Sequence, residues 1–309
     1  MRIENLSYNN AQSQGPERRE WFRTHSAEHL ERCESLMQLA LRRRPASTAS
    51  SVVVLGAGNC TEVPLVTLNR GTDELVLADL DLAGMRRACD LQLPNLGQRR
   101  RMRLVECDLT GGVSRNLERL IRRQRWDKLA PQGASAIFDA AASCLEECEV
   151  PDPPVLDDLG QGQFGVVISS LVMSQLFSYP ILDVLDPIIV AAPDFWGEQE
   201  RHRRYQEAAQ AFRLRVINAH LHLLGSLVDQ DGLIVLLSDV RGFAFNVYGT
   251  DHDASHRRDI PLVPRAFFDL VKEQFTIAEE QHWEWLTDLP EKEHFGRGYE
   301  VVGYVLRAK

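Results

Sequence analysis

The chain has 309 residues, of which 44% are hydrophobic and 26% are charged, with a formal net charge of −9 at pH 7. This length can bury a large core, and the composition is that of a soluble globular protein. The negative charge disfavours a nucleic-acid partner without excluding one, because phosphate binding depends on clustered cations. The chain contains no run of about 18 apolar residues, so no membrane span is predicted. The polar segment Met1–Asn5 is unlike a secretory signal.

The six cysteines are scattered through the chain rather than grouped for metal binding. Cys144 and Cys148 lie four residues apart, but no second pair at zinc spacing follows them. His252 and His256 have the i, i+4 spacing of a metal pair, which would require their loop to be helical. We therefore predict reduced core thiols, a cytoplasmic protein and no metal site.

The N-terminal segment from Pro16 to Arg44 carries apolar residues at three- and four-residue steps with charges between them. This pattern predicts an amphipathic helix, and we interpret residues 1–48 as an N-terminal helical lid. Trp21 and His25 share one face of the helix and are candidates to close over a ligand. Simple packing of the two side chains is the alternative.

Five short apolar runs alternate with helical segments through the middle of the chain. Runs of this kind are typical of strands buried on both faces, and the alternation predicts βαβ units in a parallel sheet. The predicted strands are Val52–Leu55, Leu75–Ala78, Arg103–Cys107, Gly165–Ser170 and Leu233–Leu237. One predicted helix follows Thr61, and the others span Ala83–Leu91, Val113–Arg125, Ala134–Cys148 and about Gly197 to Leu227.

Two β-rich segments, Phe275–Trp285 and Tyr299–Arg307, are separated only by a short turn-rich stretch. That stretch is too short for a helical crossover, so we expect the two strands to pair antiparallel. The predicted fold class is therefore α/β, with a doubly wound, mostly parallel seven-stranded sheet and a C-terminal antiparallel hairpin. The N-terminal helical lid and helical cap insertions at about residues 113–164 and 172–231 complete it.

The first predicted strand runs into Gly56, Ala57 and Gly58, followed by Asn59. Glycines at this place let the backbone turn sharply and approach a ligand without interference from a Cβ atom. The N-terminus of the following helix would offer free N–H groups to an anionic or polar part of that ligand. The alternative is that these glycines only pack against the next helix.

Acidic residues follow the next two predicted strands. Asp79 stands where a carboxylate can accept hydrogen bonds from the two hydroxyls of a ribose bound at the neighbouring strand end. Asp81 could share this role, although it fits the N-cap of the next helix better. Asp108 follows the third strand and could accept from an adenine amino group, or could be a turn residue beside Thr110.

Taken in order, the glycine loop, the two strand-end acids, the run Val166–Ser170 and the final hairpin resemble the successive motifs of class I S-adenosylmethionine (SAM) dependent methyltransferases. The resemblance implies a SAM-binding domain over residues 49–309. In that family the loop holds the methionine part, the first acid the ribose and the second the adenine. Carried over residue by residue, the cofactor positions are Gly56, Ala57, Gly58, Asn59, Asp79, Leu80, Asp108, Leu109, Ser169 and Ser170.

Two positions depart from the family pattern. Cys60 replaces the third glycine of Gly-x-Gly-x-Gly, and Val54 replaces the acid often found two residues before the first glycine. The change at position 60 removes the conformational freedom of a glycine, and the change at position 54 removes a polar group from the cofactor site. A nicotinamide or flavin site, the main competing interpretation, would need Gly or Ala at position 61, where this chain has Thr61.

We expect a SAM-dependent methyltransferase that acts on a small molecule under the helical lid, with no membrane partner. RNA or protein methylation is one alternative, and a non-catalytic SAM-binding module is another. The sequence assigns no catalytic base, and the candidates are Asp239, just past the fifth strand, and Tyr248. The candidates for the substrate side are Trp21, His25, Gln175, Tyr179 and Trp196.

Arginines cluster at residues 42–44, 99–103, 122–125 and 201–204. We interpret them as solvated faces and helix C-terminal charges, whereas their convergence around a cleft would indicate an RNA or acidic substrate. His220 and His222 lie on different faces of the long predicted helix and are interpreted as structural residues. The sequence gives no indication of the oligomeric state.

Overall fold

A computed structural model describes residues 26–195, 197–245, 257–288 and 296–309. Its strands are β1 Ser51–Leu55, β2 Glu74–Asp79, β3 Met102–Glu106, β4 Phe164–Ser170, β5 Val228–Phe245, β6 Arg258–Pro261, β7 Phe275–Asp288 and β8 Gly296–Ala308. They form one mixed sheet in the order β3-β2-β1-β4-β5-β8-β7, and β6 pairs with β5.

The first five strands run parallel, and most of their aliphatic side chains are buried. Such strands need cover on both faces of the sheet, which the helices supply. The chain moves outward from β1 to β3 and then crosses back to place β4 on the other side of β1. This reversal creates a crevice at the carboxyl ends of β1 and β4, the usual place for a ligand in such sheets.

The last two strands form the predicted antiparallel hairpin, with β8 lying between β5 and β7. The mostly parallel sheet with a C-terminal hairpin is therefore confirmed. Two details differ from the sequence prediction: β5 continues past Leu237 to Phe245, and its extension pairs with an eighth strand, β6. All four residues of β6 are exposed, so its sequence lacks the apolar pattern that would predict a strand.

The helices of the described residues are α1 Ala27–Arg43, α2 Leu65–Arg70, α3 Leu82–Gln92, α4 Leu96–Arg99, α5 Val113–Arg123, α6 Trp126–Leu129, α7 Ala134–Glu147, α8 Met173–Ala191, α9 Arg203–Leu227 and α10 Ala266–Gln274. The interval 113–164 contains α5, α6 and α7, and the interval 172–231 contains α8 and α9 and ends in the first residues of β5. The sequence prediction lacks α8 because Pro180 and Pro187 interrupt its pattern, each removing a backbone N–H. None of these helices is both long and apolar enough to cross a membrane.

The helices divide between the two faces of the sheet. Helices α5, α7, α8, α9 and α10 cover one face, and α1, α2 and α3 cover the other. Cys33, Leu36, Met37 and Ala40 of α1 are all buried against the second face. The described part of the predicted lid is therefore part of the core, while residues 1–25 lie outside the described residues.

Four side chains join α1 to the hairpin, and we call Ser26, His29, Trp283 and Trp285 the hairpin cluster. The His29 ring stacks on Trp285 with centroids 4.2 Å apart, and Trp283 Nε1 donates to His29 Nδ1 at 2.9 Å. Trp285 Nε1 donates to Ser26 Oγ at 3.1 Å, and that hydroxyl donates to the carbonyl of Leu286 at 3.3 Å. Burial lowers the pKa of His29 to about 3, so the ring is neutral at pH 7 and accepts a hydrogen bond.

Candidate cofactor cleft

A cavity of about 460 Å³ opens at the carboxyl ends of β1, β2 and β3, beside the start of α8. Its volume is typical of a site for a small-molecule ligand. Among the predicted cofactor positions, Gly56, Ala57, Gly58, Asn59, Asp79, Leu80, Asp108 and Leu109 line the cavity. Among the predicted substrate positions, Gln175 and Tyr179 line it. The other lining residues are Glu62, Asp81, Cys107, Thr110, Ser114, Val172, Leu176 and Pro180.

The glycine loop is bent by positive φ angles, +72° at Gly56 and +46° at Gly58. Gly56 also lies against α8, since an added Cβ would come within 2.5 Å of the Val172 Cβ. The backbone N–H of Gly56 donates to the carbonyl of Ala78 at 3.0 Å, which ties the loop to the end of β2. Only glycine allows both this conformation and this close approach, so the loop and α8 together form one wall of the cavity.

Cys60 occupies the third glycine position and also has a positive φ, +50°. The left-handed conformation explains why glycine suits this place, because a Cβ atom makes it less favourable. The Cys60 side chain is 1% exposed and packs in the core beneath the loop. The departure from the family pattern therefore leaves the turn itself in place.

Asp79 is fixed at the end of β2 by backbone donors. Its Oδ2 accepts from the Gly58 N–H at 3.0 Å, and its Oδ1 accepts from the Asp81 N–H at 2.8 Å. Burial raises the pKa of Asp79, although hydrogen bonds from the backbone of Asp81, Gly58 and Leu80 oppose the rise. Asp81 caps α3 by accepting from the Gly84 N–H at 2.8 Å, the role that the sequence favoured for it.

Asp108 combines a position on the cavity wall with the turn role that was its alternative interpretation. Its Oδ1 accepts from the Thr110 N–H at 2.9 Å and from the Thr110 hydroxyl at 2.6 Å. The same hydroxyl accepts from the N–H of Val113 at 3.1 Å, at the start of α5. These contacts hold the Asp108 carboxylate and the adjoining Leu109 in a fixed place on the wall.

Glu62 is a lining residue that the sequence analysis did not single out. It is 8% exposed, and burial raises its pKa to about 7. The signal available in the sequence was a lone acid between two residues that are now seen to be buried, Cys60 and Val63. That pattern alone does not predict which way the acid faces, because the direction depends on the turn at Cys60.

Helix α8 contributes four further lining residues to the cavity, Gln175, Leu176, Tyr179 and Pro180. The amide of Gln175 donates to the carbonyl of Leu171 at 3.0 Å. Leu171 itself has a positive φ, +51°, at the junction between β4 and α8. The sharp junction brings the first turns of α8 over the ends of the parallel strands.

Several predicted site residues lie elsewhere. Ser169 and Ser170 do not line the cavity, since both are buried and the Ser169 hydroxyl lies 2.9 Å from His220 Nε2. Asp239 does not line it either, because its carboxylate accepts from the Ser174 hydroxyl at 2.8 Å. Burial raises the pKa of Asp239 to about 7. The predicted residues Trp21, His25, Trp196, Tyr248, His252 and His256 lie outside the described residues.

The charges around the cavity are mainly acidic. Its lining residues within the described ranges include Glu62, Asp79, Asp81 and Asp108 but no lysine or arginine. Arg87 stands at the rim, where it is 3.6 Å from Asp81 and donates to Asn59 Oδ1 at 3.3 Å. Residues 26–195, 197–245, 257–288 and 296–309 contain no group of three His, Cys, Asp or Glu side chains that could hold a metal ion.

The arginine clusters lie mostly in surface ion pairs with neighbouring acids. Arg204 contacts Glu146 at 2.6 Å, and Arg203 contacts Glu207 at 2.7 Å. None of the arginines in the four clusters lines the cavity. The arrangement agrees with solvated faces and not with a basic surface converging on the cleft.

No protein-family model and no curated protein matches the chain. Similar solved structures include the glycopeptide N-methyltransferase MtfA complexed with SAM, with 12% identity, 89% of this chain and 93% of that chain covered, and a TM-score of 0.37. A putative RNA methyltransferase from Pyrococcus horikoshii has 11% identity, coverage of 89% and 82%, and a TM-score of 0.35. An O-methyltransferase family protein from Burkholderia thailandensis has 11% identity, coverage of 97% and 62%, and a TM-score of 0.40.

The sheet of this chain decides the fold by itself. Five parallel strands are followed by an antiparallel hairpin whose last strand, β8, lies between β5 and β7. The α/β fold expected from the sequence, a mostly parallel sheet with a C-terminal antiparallel hairpin, is therefore confirmed.

Proposed function

We propose that the protein is a SAM-dependent methyltransferase that binds its cofactor in this cleft and methylates a small molecule. The placement of Asp79 carries the proposal. Its two carboxylate oxygens accept the backbone N–H groups of Gly58 and Asp81, and the carboxylate also lines the cavity, where a ribose hydroxyl can donate to it. A carboxylate held rigid in this way at a strand end beside a glycine loop suits a ribose diol.

The remaining walls of the cleft fit the other parts of SAM. The glycine loop brings backbone close to the cavity where the methionine part would lie. Asp108 and Leu109 offer a fixed carboxylate and an apolar side chain for an adenine ring. When bound, SAM supplies an electrophilic methyl group on a sulfonium.

The chain's own contribution to the transfer is alignment of the two reactants. In-line displacement gains most of its rate from correct placement, and a base is required only if the acceptor carries a proton that must leave. Asp79 and the glycine loop would fix one reactant, and Gln175 and Tyr179 on α8 would contact the other. We assign no base, because Asp239 is already bonded to Ser174 away from the cavity.

The composition of the walls supports a small, neutral or cationic acceptor. A polyanion such as RNA would meet the carboxylates of Glu62, Asp79 and Asp108 with no basic side chain among the described lining residues. Leu176, Tyr179 and Pro180 give the α8 side an apolar surface of the kind common in small-molecule sites.

Calorimetric titration with SAM tests the cofactor. We expect the wild type to bind and Asp79→Ala to bind about 10- to 100-fold more weakly, because charge-assisted hydrogen bonds to ribose are lost. Asp81→Ala is the matched control: it removes a helix cap that contributes about 1 kcal/mol to stability, and it should change SAM affinity far less. A wild type that does not bind SAM would contradict the proposal.

A labelling experiment tests the acceptor class. The protein is incubated with SAM carrying a labelled methyl group and with separate small-molecule, RNA and protein fractions of a cell extract. We expect the label in the small-molecule fraction. Label in RNA or protein would reassign the acceptor, and SAM binding with no label in any fraction would favour a non-catalytic module.

A further inference from the structure

Glu62 is a buried acid with no cation paired to it among the described residues. Its side chain lines the same cavity as Gly56 and Asp79, yet the residue is only 8% exposed. Burial raises its pKa to about 7, and the only opposing effect comes from its own backbone N–H, with no contribution from a cation. An unpaired carboxylate in such a place is unfavourable for folding, so its presence calls for a partner.

The groups that face Glu62 within the described residues cannot neutralise it. Cys33 of α1 and Cys60 of the loop lie close enough for the Glu62 charge to raise the pKa of both thiols. Both thiols are thus neutral at pH 7 and offer no positive charge. The remaining acid near Cys60 is Asp79, which repels a negative charge. No described residue supplies this positive charge, whereas a cation that enters the cavity would neutralise the carboxylate.

We propose that Glu62 binds the α-ammonium group in the methionine part of SAM. The proposal rests on the proposed function. Asp79 and Glu62 both influence the Cys60 thiol and both line the cavity, so they flank the loop on which the ligand would lie. With ribose at Asp79, the amino-acid end of the ligand falls on the Glu62 side. Val54, the place where the family pattern has an acid, is fully buried in β1 and unable to contact a ligand.

Three ligands separate the parts of SAM that Glu62 could contact. SAM has the ammonium and the sulfonium, S-adenosylhomocysteine has the ammonium alone, and 5′-methylthioadenosine has neither but keeps adenine and ribose. We expect Glu62→Gln, an uncharged variant of the same shape, to bind the first two about 10- to 100-fold more weakly than the wild type. Its affinity for 5′-methylthioadenosine should be unchanged. Asp79→Asn is the matched control and should weaken all three ligands.

Each other outcome would overturn the assignment. Unchanged SAM affinity in Glu62→Gln would show that the ammonium is held elsewhere. An equal loss for 5′-methylthioadenosine would mean that Glu62 only shapes the loop, and a loss for SAM but not S-adenosylhomocysteine would mean that it faces the sulfonium. A wild type that binds none of the three contradicts the proposed function as well, which separates the two failures. Thermal unfolding at pH 8 checks the fold, since Glu62→Gln should melt no lower than the wild type.

Discussion

The hairpin cluster and the cofactor cleft both remove polar groups from water, but they satisfy them in different ways. In the hairpin cluster the indole N–H of Trp283 meets His29, and the indole N–H of Trp285 meets Ser26. In the cleft, the carboxylates of Asp79 and Glu62 are held by backbone on one side and face the cavity on the other. Both regions carry residues with shifted pKa values, so the shifts alone do not separate them.

The difference between the two regions is where the hydrogen-bonding capacity of the buried groups is used. A cluster whose donors and acceptors are matched within the chain contributes to stability and has nothing left for a ligand. A carboxylate with unused lone pairs in a cavity is instead a binding group that lowers stability until its partner arrives. On this basis, substitutions in the hairpin cluster should change folding, and substitutions in the cleft should change binding.

The largest expected effect is that of Trp283→Ala in the hairpin cluster. Removing a buried indole and its hydrogen bond to His29 should lower the free energy of unfolding by about 3–5 kcal/mol. Trp283→Phe keeps the ring but loses the donor, and should lower it by about 1–3 kcal/mol. Denaturant unfolding measures both values, and calorimetry should find SAM affinity unchanged in both variants. A clear loss of SAM affinity in Trp283→Phe would break the distinction between the two regions.

A smaller effect is expected from Gly56→Ala, which tests whether the loop is held by its contact with α8. The new Cβ would come within 2.5 Å of the Val172 Cβ, at a backbone with φ of +72°. We expect unfolding to become easier by about 1–3 kcal/mol and SAM binding to weaken by about tenfold, because Val172 also lines the cavity. The comparison variant is Gly58→Ala, whose Cβ would meet only Asp79 Oδ2 at 4.0 Å. Its left-handed backbone alone should cost about 1 kcal/mol, and equal losses in the two variants would argue against the contact with α8.

The smallest effect concerns Asp239, which lies between the two regions. It accepts a hydrogen bond from Ser174 on α8. Burial and, to a smaller extent, the charge of Asp239 raise the pKa of Tyr299, which packs beside Trp285. The pKa of Asp239 is raised to about 7, so the folded state holds a proton that the unfolded chain has already released at lower pH. Stability is therefore present at acid pH and is lost as the pH rises from about 4 to about 7.

Asp239→Asn should make the free energy of unfolding less dependent on pH across this window. Since water reaches part of Asp239, we expect a change on the order of 1 kcal/mol between pH 5 and pH 8. Glu62 has a pKa raised in the same direction, so the double variant with Glu62→Gln should flatten the profile further. Denaturant unfolding at the two pH values provides the measurement, and an unchanged slope in Asp239→Asn would contradict the expected protonation.

The parallel strands and the acids at their ends could be predicted from sequence because both depend on local pattern. A strand buried on both faces is a continuous aliphatic run, and a residue at its carboxyl end is placed at the cleft by topology alone, as for Asp79 and Asp108. Ser169 follows the same rule and still faces away, because its side chain meets His220 on α9. That contact joins residues 51 positions apart, and no local pattern contains it.

The other differences from prediction have similar causes. Helix α8 was not predicted because it contains two prolines, and β6 was not predicted because all four of its residues are exposed. Glu62 faces the cavity because the backbone turns at Cys60, where the sequence has a residue that rarely adopts a positive φ. For α8 and β6 the deciding contacts come from other parts of the chain, whereas for Glu62 the deciding feature is an uncommon local backbone conformation.

The contact between α1 and the hairpin has a consequence for protein synthesis. His29 and Trp283 are 254 residues apart, so at usual elongation rates the ribosome needs roughly 10–50 s to deliver the second after the first. During that interval the apolar stripe of α1, with Leu36 and Met37, lacks the hairpin side chains that later cover it. Helix α1 is thus completed only after the hairpin has been made, and its apolar stripe lacks these side chains during that interval.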